Sequence, residues 1–476
     1  MSHSFTPPKS ILIIGGGFAG TLTAIKLLDS TPVSLAITVI EDRQELGRGV
    51  AYSTREAVHL VNGPARIFGL HPERPDHLVD WLRESGPRLG WALPDDIHDS
   101  SPPRWIYGTY VHAELQRASR QARPHSTLHH VRDRAVSLRD ERGGVAVTTA
   151  RHGVIFGEQA VLALGVFAGH LPEQEAGVVG HPAFVGNPWE PQALDRLAGA
   201  RKLLIIGASL SMVDVVASME LRRFEGHYTV LSRRGQVVER RRTAEPWRDF
   251  LGDGGYPSSA RELLVRVRTE RRAIASAGAD WQSLPLAIRP HLLKLWQGAS
   301  NKERLRFARH LRAFWDVTAH RAAPEAYAKL EAARAAGRMT SAAGRVLALE
   351  PNGNGIAATL RWRKDGSTER VVFDGVINCR GHQLHDWRRI DDPLVADLLH
   401  SGTVRPHATG FGIDALPDGQ IIAAGGKVSQ RVFAIGHPLR GVAWESSSIG
   451  EQLAQSIVLA ARLLESEHTP AESVTA

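Results

Sequence analysis

The sequence predicts an α/β fold in which two Rossmann-like units are combined with antiparallel meanders and a helical insert. Two segments, residues 11–28 and 202–221, each consist of a buried strand, a turn rich in small residues and a helix. A third segment, residues 240–333, is rich in arginine and has apolar residues at helical spacing. Because strands that alternate with helices favour parallel sheets, two such sheets are expected.

The first segment carries a dinucleotide-binding fingerprint. Strand 11–14 runs into a glycine turn, and helix 21–28 follows. The first glycine permits the sharp turn, the second lets a pyrophosphate approach the backbone, and the third lets helix and strand pack closely. A second strand, residues 36–40, ends in an acid that suits a ribose hydroxyl. The residues predicted to bind this first dinucleotide are Gly15, Gly17, Phe18, Ala19, Gly20 and Glu41.

The second segment carries a degenerate copy of the fingerprint. Strand 202–206 is followed by Gly207, and serines stand at the next two glycine positions, Ser209 and Ser211. After helix 212–221, strand 227–231 ends without an acid. Its last residues, which are Ser232, Arg233 and Arg234, suit the 2′-phosphate of NADPH. The alternative is an ordinary strand–helix unit with two solvated surface arginines.

Each fingerprint is followed by the same series of elements. The first meander is predicted at residues 128–135, 145–150 and 154–158, and its closing strand, 160–164, ends at Gly165. The second is predicted at 344–349, 357–363 and 371–373, and its closing strand, 375–379, ends near Gly381. Alternating apolar and polar residues are typical of half-buried antiparallel strands. This repeat is the plan of a flavoprotein that binds two dinucleotides.

The remaining segments complete the domain prediction. Strand 432–435 ends at Gly436 and precedes helix 449–464, so backbone N–H groups there could meet a phosphate or the ribityl chain of a flavin. We therefore predict a discontinuous FAD-binding domain, residues 1–195 and 376–476, with Gly165 and Gly436 also at the FAD. An NAD(P)H-binding domain is predicted at residues 196–375, and it contains the insert 240–333. In the insert, helical spacing is seen at 260–275 and 287–314, and its tryptophans form either its own core or part of a substrate cavity.

Composition limits the function further. The chain has 476 residues, a formal charge of +8 and 43% hydrophobic residues, which is typical of a globular protein. A basic cleft for anionic cofactors explains the charge better than nucleic-acid binding, because no nucleic-acid motif is present. One cysteine, Cys379, excludes an internal disulfide and a Cys-x-x-Cys redox pair. We also expect no metal and no membrane span. A cytoplasmic location is expected, because the chain has a single cysteine and its first residues contain no signal-peptide pattern.

With these motifs identified, the chain resembles a bacterial FAD/NAD(P)-binding flavoprotein family that is distantly related to the N-hydroxylating and Baeyer–Villiger monooxygenases. Members of that family include a urate hydroxylase and an amino-acid N-oxygenase. The stretch 47–64 is the most specific part of the resemblance. The other matching residues are 15–20, Asp76, Trp81, Leu82, 187–189, 207–214, 232–235, Gly381, Trp444 and Glu445. The chain departs from the pattern at His437, where many such flavoproteins have an aspartate.

The resemblance implies a monooxygenase that uses FAD, NADPH and O2 to hydroxylate a small polar substrate, with urate as the first candidate. The alternatives are an amino-acid N-hydroxylase, an NADPH-dependent flavin oxidoreductase that does not use O2, and a flavin-binding regulatory protein. Segment 47–62 is expected to run along the flavin, and Arg48, Tyr52 and Asn62 are the candidate substrate residues. The motifs identify no catalytic acid or base.

Overall fold

A computed structural model describes residues 7–169, 171–252, 255–381 and 386–465. The strands are β1 (Lys9–Ile14), β2 (Leu35–Ile40), β3 (Thr127–Val131), β4 (Ala135–Glu141), β5 (Gly144–Thr149), β6 (Val154–Gly157), β7 (Gln159–Leu162), β8 (Phe184–Val185), β9 (Lys202–Ile206), β10 (His227–Ser232), β11 (Met339–Asn352), β12 (Gly355–Trp362), β13 (Thr368–Phe373), β14 (Gly375–Asn378), β15 (Gln420–Ile422) and β16 (Val428–Ala434). The helices are α1 (Phe18–Ser30), α2 (His77–Ser85), α3 (Arg104–Gln121), α4 (Leu210–Leu221), α5 (Ala260–Ser276), α6 (Ser283–Ile288), α7 (Leu292–Gly298), α8 (Asn301–His310), α9 (Arg312–Ala319), α10 (Pro324–Ala335), α11 (Pro393–His400) and α12 (Ile449–Leu464).

The chain divides into two compact units, each made of separate stretches of sequence. The first consists of residues 1–49, 109–165 and 386–476, and the second of residues 50–108 and 166–385. The predicted fold class is confirmed, because each unit contains a parallel sheet with a strand–turn–helix fingerprint. The predicted division into FAD-binding and NAD(P)H-binding domains stays a prediction.

The first unit is built on a six-stranded sheet in the order β15-β16-β7-β1-β2-β3. The neighbours from β16 to β3 are parallel, and β15 pairs with β16 in the antiparallel sense. Strand β1 lies in the centre and is buried over its last four residues, while α1 packs against α12. The meander is a separate antiparallel sheet, β4-β5-β6.

The prediction of one strand over residues 128–135 is wrong. Strand β3 ends at Val131 and extends the parallel sheet, whereas β4 begins the meander at Ala135. Asp133 makes the turn between them: its N–H donates to the carbonyl of Val131 at 2.8 Å, and its carboxylate accepts the N–H of Arg134 at 2.8 Å. An aspartate that bonds the next backbone N–H favours a turn over a continuous strand.

The second unit is built on a seven-stranded sheet in the order β13-β12-β11-β10-β9-β14-β8. Strands β11 to β8 are parallel, and β11 continues into an antiparallel hairpin with β12 and β13. Strand β11 is therefore longer than predicted, because its first residues pair with β10 and its last with β12. Alternate residues of β9 face two cores: Leu203 and Ile205 pack with α4 and α10, and Leu204 and Ile206 pack with the hairpin.

The helical insert has its own small core. Leu251, Ile274, Leu284 and Ile288 are buried there, and Trp247 and Trp315 pack against them. The interpretation of the tryptophans as core residues is therefore supported for Trp247 and Trp315. The continuous helical spacing over 287–314 was misleading, because the structure breaks this stretch after Ile288. Pro290 lacks a backbone donor, and Ser300 caps a new helix by accepting the N–H of Glu303 at 3.4 Å.

No helix in the described parts of the chain combines the length and apolar character that a membrane crossing requires.

A buried ion pair in the second unit leads to the first prediction. Arg104 Nη1 lies 2.8 Å from Asp214 Oδ2, and the two side chains are 12% and 5% exposed. Arg104 Nε also donates to the carbonyl of Leu60 at 2.9 Å. We expect Asp214→Asn to lower the free energy of unfolding by roughly 3 kcal/mol, because the arginine keeps its charge in a buried place.

Urea denaturation of the purified protein measures this effect. The matched control is Asp195→Asn, which removes a carboxylate that is 52% exposed and lies 2.7 Å from Arg222. An exposed pair contributes less than about 1 kcal/mol. Equal losses in the two variants would contradict the prediction.

Candidate functional site

The first glycine turn is determined by close contacts between backbones. Gly15 has φ +102°, and a Cβ at this position would lie closer than 3.0 Å to the carbonyl of Ala163. A Cβ on Gly20 would overlap the carbonyl of Gly15. The N–H of Gly15 donates to the carbonyl of Ile40 at 2.9 Å. Gly15 therefore joins the ends of three neighbouring strands, and Gly20 allows α1 to pack on β1, as the sequence predicts.

The N-terminus of α1 suits an anion. Gly17 is its N-cap in an extended conformation, makes no side-chain cap, and the first turn contains no acidic residue. Nothing in this turn neutralises the positive end of a 13-residue helix. A Cβ on Gly17 would meet only Gly49, at 3.3 Å from its Cα. The arrangement fits a pyrophosphate that approaches a bare backbone near Phe18, Ala19 and Gly20.

Glu41 supports this turn from the end of β2. Its carboxylate accepts the N–H of Gly16 at 2.9 Å and the N–H of Arg43 at 3.2 Å. Burial raises the pKa of Glu41 above its usual value. A carboxylate has about four lone-pair positions, so these two bonds leave capacity for the predicted ribose hydroxyls. The supporting bond to Gly16 is a role that sequence reasoning did not identify.

The first residues of the segment after β2 pack on the glycine turn, and the predicted course of residues 47–62 along the flavin stays a prediction. The N–H of Gly47 donates to the carbonyl of Gly16 at 2.9 Å, and a Cβ on Gly49 would lie 3.2 Å from Gly17 Cα. Both glycines have positive φ, +92° and +53°. Arg48 between them is held by Glu45 and by Thr109 Oγ1, the latter at 3.2 Å. Its predicted role with substrate is therefore weakened.

Two more predicted FAD residues lie at the ends of strands in the same sheet. Gly165 follows β7 with φ +66°, and open space surrounds the position of an added Cβ. Gly436 follows β16 with φ +77°, but its N–H donates to Gln455 Oε1 at 3.0 Å. The expectation that this N–H meets the cofactor needs correction, because the donor is used within the unit. His437 is half-buried at the start of a short 3-10 helix.

The second fingerprint repeats the geometry of the first. Gly207 has φ +115°, its N–H donates to the carbonyl of Leu231 at 2.9 Å, and an added Cβ would overlap the carbonyl of Cys379. Ser209 is the extended N-cap of α4, and its side chain makes no capping bond. Ser211 lies in the first turn of that helix. The turn therefore has the same backbone geometry with serines at two of the glycine positions. Like the first unit, the second unit has an uncapped helix N-terminus at the end of a strand.

The predicted 2′-phosphate loop follows β10. Ser232 Oγ accepts the N–H of Gly235 at 3.0 Å and closes a tight turn. Arg233 is exposed, and the guanidinium of Arg234 lies 4.6 Å from the ring centroid of Phe314 in the insert. Arg363 donates to the carbonyl of Arg233 at 3.4 Å. Sequence reasoning missed Arg363, although the basic turn after β12 was a visible signal.

Residues 52–64 lie in the second unit, and some of their side chains are held by contacts within that unit. Tyr52 is buried with its ring edge-on to Tyr107, 5.0 Å between centroids, and burial raises its pKa. His59 is buried between Thr54 Oγ1 at 2.7 Å and Ser218 Oγ at 2.9 Å, and burial lowers its pKa. Asn62 is half-buried, and its side chain makes no hydrogen bond to any described residue. Of the three substrate candidates, Asn62 is thus the one left with free polar atoms.

Comparison with known proteins supports the flavoprotein prediction. Residues 12–167 match the FAD-NAD(P)-binding family model. No curated protein matches the sequence.

Several solved structures share the fold. The ornithine N-hydroxylase of Kutzneria sp. 744 aligns with a TM-score of 0.64 at 14% identity, over 96% of this chain and 99% of that one. The L-lysine 6-monooxygenase of Pseudomonas syringae aligns with 0.59 at 16%, over 95% and 97%. The cadaverine monooxygenase of Erwinia amylovora aligns with 0.58 at 13%, over 96% and 95%. At these identities the likeness establishes the fold.

These findings support FAD and NAD(P)H as the cofactors. They give no support to the expectation of urate hydroxylation or of a role in purine breakdown. The individual site residues stay predictions.

The first prediction for this site concerns Gly17. Gly17→Val is expected to remove most of the bound flavin from a folded protein, because the side chain would occupy the space that the pyrophosphate needs. The control is Gly177→Val, at a glycine without positive φ where an added Cβ meets nothing within 4 Å. Visible flavin absorbance relative to protein absorbance measures the occupancy. Full occupancy in Gly17→Val would show that the flavin does not lie on this turn.

The second concerns the choice of nicotinamide cofactor. Replacing both Arg233 and Arg234 with Ala is expected to raise the KM for NADPH by about tenfold to a hundredfold and to change that for NADH little, since charge-assisted bonds to the 2′-phosphate are lost. Arg201→Ala serves as the control, because this exposed arginine precedes the amino end of β9. Equal losses with both cofactors would place the 2′-phosphate elsewhere.

Proposed function

We propose that the protein is an FAD-dependent, NADPH-using monooxygenase that hydroxylates an amino group of a small molecule. The observation that carries the proposal is the fold. It aligns over 96% of the chain with an ornithine N-hydroxylase whose structure contains reduced FAD, NADP+ and L-ornithine, and both glycine turns of this chain have the backbone geometry that dinucleotides require. The sequence analysis placed amino-acid N-hydroxylation second to urate, and the comparisons favour it.

The first unit is proposed to hold FAD. Gly15, Gly17 and Gly20 keep the backbone bare, the N-terminus of α1 faces the pyrophosphate, and Glu41 accepts a ribose hydroxyl. Phe18, Ala19 and Gly165 complete the proposed set, and Gly436 is left out of it because Gln455 accepts its N–H. Bound FAD would supply the redox chemistry that activates O2. The chain's own contribution is to bind the cofactor, orient it and keep water away from it.

The second unit is proposed to hold NADPH. Gly207, Ser209 and Ser211 form the turn before α4, and Ser232, Arg233 and Arg234 follow β10. Arg363 adds a third guanidinium beside this loop, because it bonds the carbonyl of Arg233. The stacking of Arg234 on Phe314 fixes one guanidinium plane, so it is ordered before the phosphate arrives. The loop contains no carboxylate that would repel the 2′-phosphate.

Amino compounds are the proposed substrates, and O2 is the proposed co-substrate. Three of the similar structures are an ornithine N-hydroxylase, a cadaverine monooxygenase and an L-lysine 6-monooxygenase. Asn62 is the best of the candidate substrate residues, because an amide has both donors and acceptors and this one is not engaged among the described residues.

The second candidate is an NADPH-dependent flavin oxidoreductase that passes electrons to an acceptor other than O2. The single cysteine limits this alternative. Cys379 is buried, and burial raises the pKa of its thiol, so a reactive thiolate is disfavoured. A dithiol acceptor within the chain is therefore absent, since the sequence contains one cysteine.

A single experiment tests the proposed function. We expect purified protein to consume O2 with NADPH, and we expect ornithine, lysine or a diamine to accelerate this and to yield a hydroxylamine product. Cys379→Ser should leave the turnover rate within about twofold, because the thiol is a small buried group without a redox partner. Oxygen uptake, NADPH absorbance and mass spectrometry of the product give the three measurements.

Urate belongs in the same screen as the comparison substrate. If urate is hydroxylated and no amine is, the amine proposal is wrong and the substrate is a purine. NADPH oxidation that proceeds equally well without oxygen, and never yields an oxygenated product, would favour the plain oxidoreductase.

A further inference from the structure

The base of the helical insert buries an arginine that has no carboxylate partner. Arg321 is 8% exposed. Its guanidinium makes only long bonds, 3.4 Å to the main-chain oxygen and 3.5 Å to the side-chain oxygen of Gln282. No described carboxylate lies within ion-pair distance of Arg321, whereas Arg241, which is equally buried, pairs with Asp99. A buried cation without a carboxylate in direct contact is unfavourable, so a further negative charge is expected beside Arg321.

Two neighbouring arginines add to the positive potential at Arg321, and the carboxylate of Asp280 offsets it only in part. Burial, followed by repulsion from Arg289 and Arg241, lowers the pKa of Arg321 to about 10. Arg241 is balanced by Asp99 at 3.2 Å, but Asp99 also pairs with Arg66. Arg289 donates only to the carbonyl of Ala319, at 3.4 Å.

Two carboxylates remain nearby. Asp280 and Glu239 pair with Arg242, at 2.6 Å and 3.3 Å. Five described arginines therefore share three carboxylates, and the excess charge lies at Arg289 and Arg321.

Hydrogen bonds connect the segments that carry these side chains. Gln282 is fully buried, donates to the carbonyl of Arg240 at 2.8 Å and accepts the N–H of Arg242 at 2.9 Å. The N–H of Arg241 donates to the carbonyl of Ala322 at 2.8 Å, and the N–H of Ala322 donates to that of Glu239 at 2.9 Å. Arg241 and Arg321 thus stand on two segments that are fixed side by side.

Two polar atoms in the same region lack a partner. Arg241 Nε and Ser283 Oγ are both buried and make no hydrogen bond to a described residue. Buried donors normally have a hydrogen-bond partner, so these two atoms indicate an acceptor that the protein itself does not supply.

From these observations we infer that Arg241, Arg289 and Arg321 form a binding site for a small oxyanion, either a carboxylate or a phosphate group of a ligand. Guanidinium groups bind such anions through two parallel N–H donors. Such an anion would neutralise the buried charge of Arg321 and accept hydrogen bonds from Arg241 Nε and Ser283 Oγ. If the proposed function holds, the ligand group is the carboxylate of an amino-acid substrate, and only this last step depends on that function.

Thermal unfolding with added anions tests the site without NADPH or turnover. We expect sodium succinate or sodium phosphate to raise the Tm of the wild-type holoenzyme by about 1–3 °C more than sodium chloride at the same ionic strength. Arg321→Met should lose this extra shift. Its Tm without anion should be unchanged or higher, because an apolar side chain of similar size replaces an uncompensated cation. Arg268→Met, at an exposed arginine of α5, is the matched control and should keep the full response.

Several outcomes would overturn the inference: no extra shift in the wild type, an equal shift in Arg321→Met, or a Tm of Arg321→Met far below that of the wild type without anion. If Arg321→Met does not fold, Arg289→Met replaces it, since Arg289 is exposed, and a severalfold weaker anion response is expected. A response to phosphate and not to succinate would keep the anion site but contradict the carboxylate assignment. Loss of the response together with unchanged N-hydroxylation would separate this site from the proposed function.

Discussion

The contact on which both units depend is the approach of a glycine to the carbonyl at the end of a neighbouring strand. Gly15 meets the carbonyl of Ala163, and Gly207 meets that of Cys379, at distances that exclude a Cβ. In each unit the same glycine donates its N–H to the strand on its other side. The turn is therefore fixed by three strands at once, and any larger residue would separate them. These contacts fix the backbone of the strand, the turn and the start of the helix where the phosphates are proposed to bind.

A consequence of that geometry is that each helix begins with unneutralised donors. Gly17 and Ser209 cap α1 and α4 in extended conformations, neither makes a side-chain capping bond, and neither first turn contains an acid. Other helices of the chain do cap themselves: Ser259, Ser300 and Ser448 each accept a backbone N–H three residues on. Helices α2, α6, α7, α9 and α10 also lack a side-chain cap, so an open start alone does not mark a ligand site. The starts of α1 and α4 differ because each directly follows a glycine turn at the end of a parallel strand, which is the arrangement that suits a phosphate.

The sequence predicted what depends on local chemistry. Both glycine turns, the strands beside them and α12 were found where expected, because glycine spacing and apolar runs are local signals. The sequence did not predict features set by tertiary contacts. His59 was part of a family-like motif, yet it bridges Thr54 and Ser218, which lie on separate stretches of the chain. Gly436 was expected to offer its N–H, but Gln455, 19 residues later, accepts it. The apolar residues keep their helical spacing across Pro290, so this spacing does not show the break in the insert. The missing N–H of Pro290 and the cap at Ser300 explain the break.

The distribution of charge adds to the argument. A net charge of +8 alone distinguishes poorly between surface solubility and binding of anions. The structure distinguishes these two explanations of the charge, because most arginines are either paired with carboxylates or exposed. Arg117, for example, pairs with Asp29 and Glu114, and Arg338 with Glu220. A surface excess costs little in water, whereas the burial of Arg321 beside other cations is unfavourable until an anion is present. The informative part of the positive charge is therefore the part that is withdrawn from solvent.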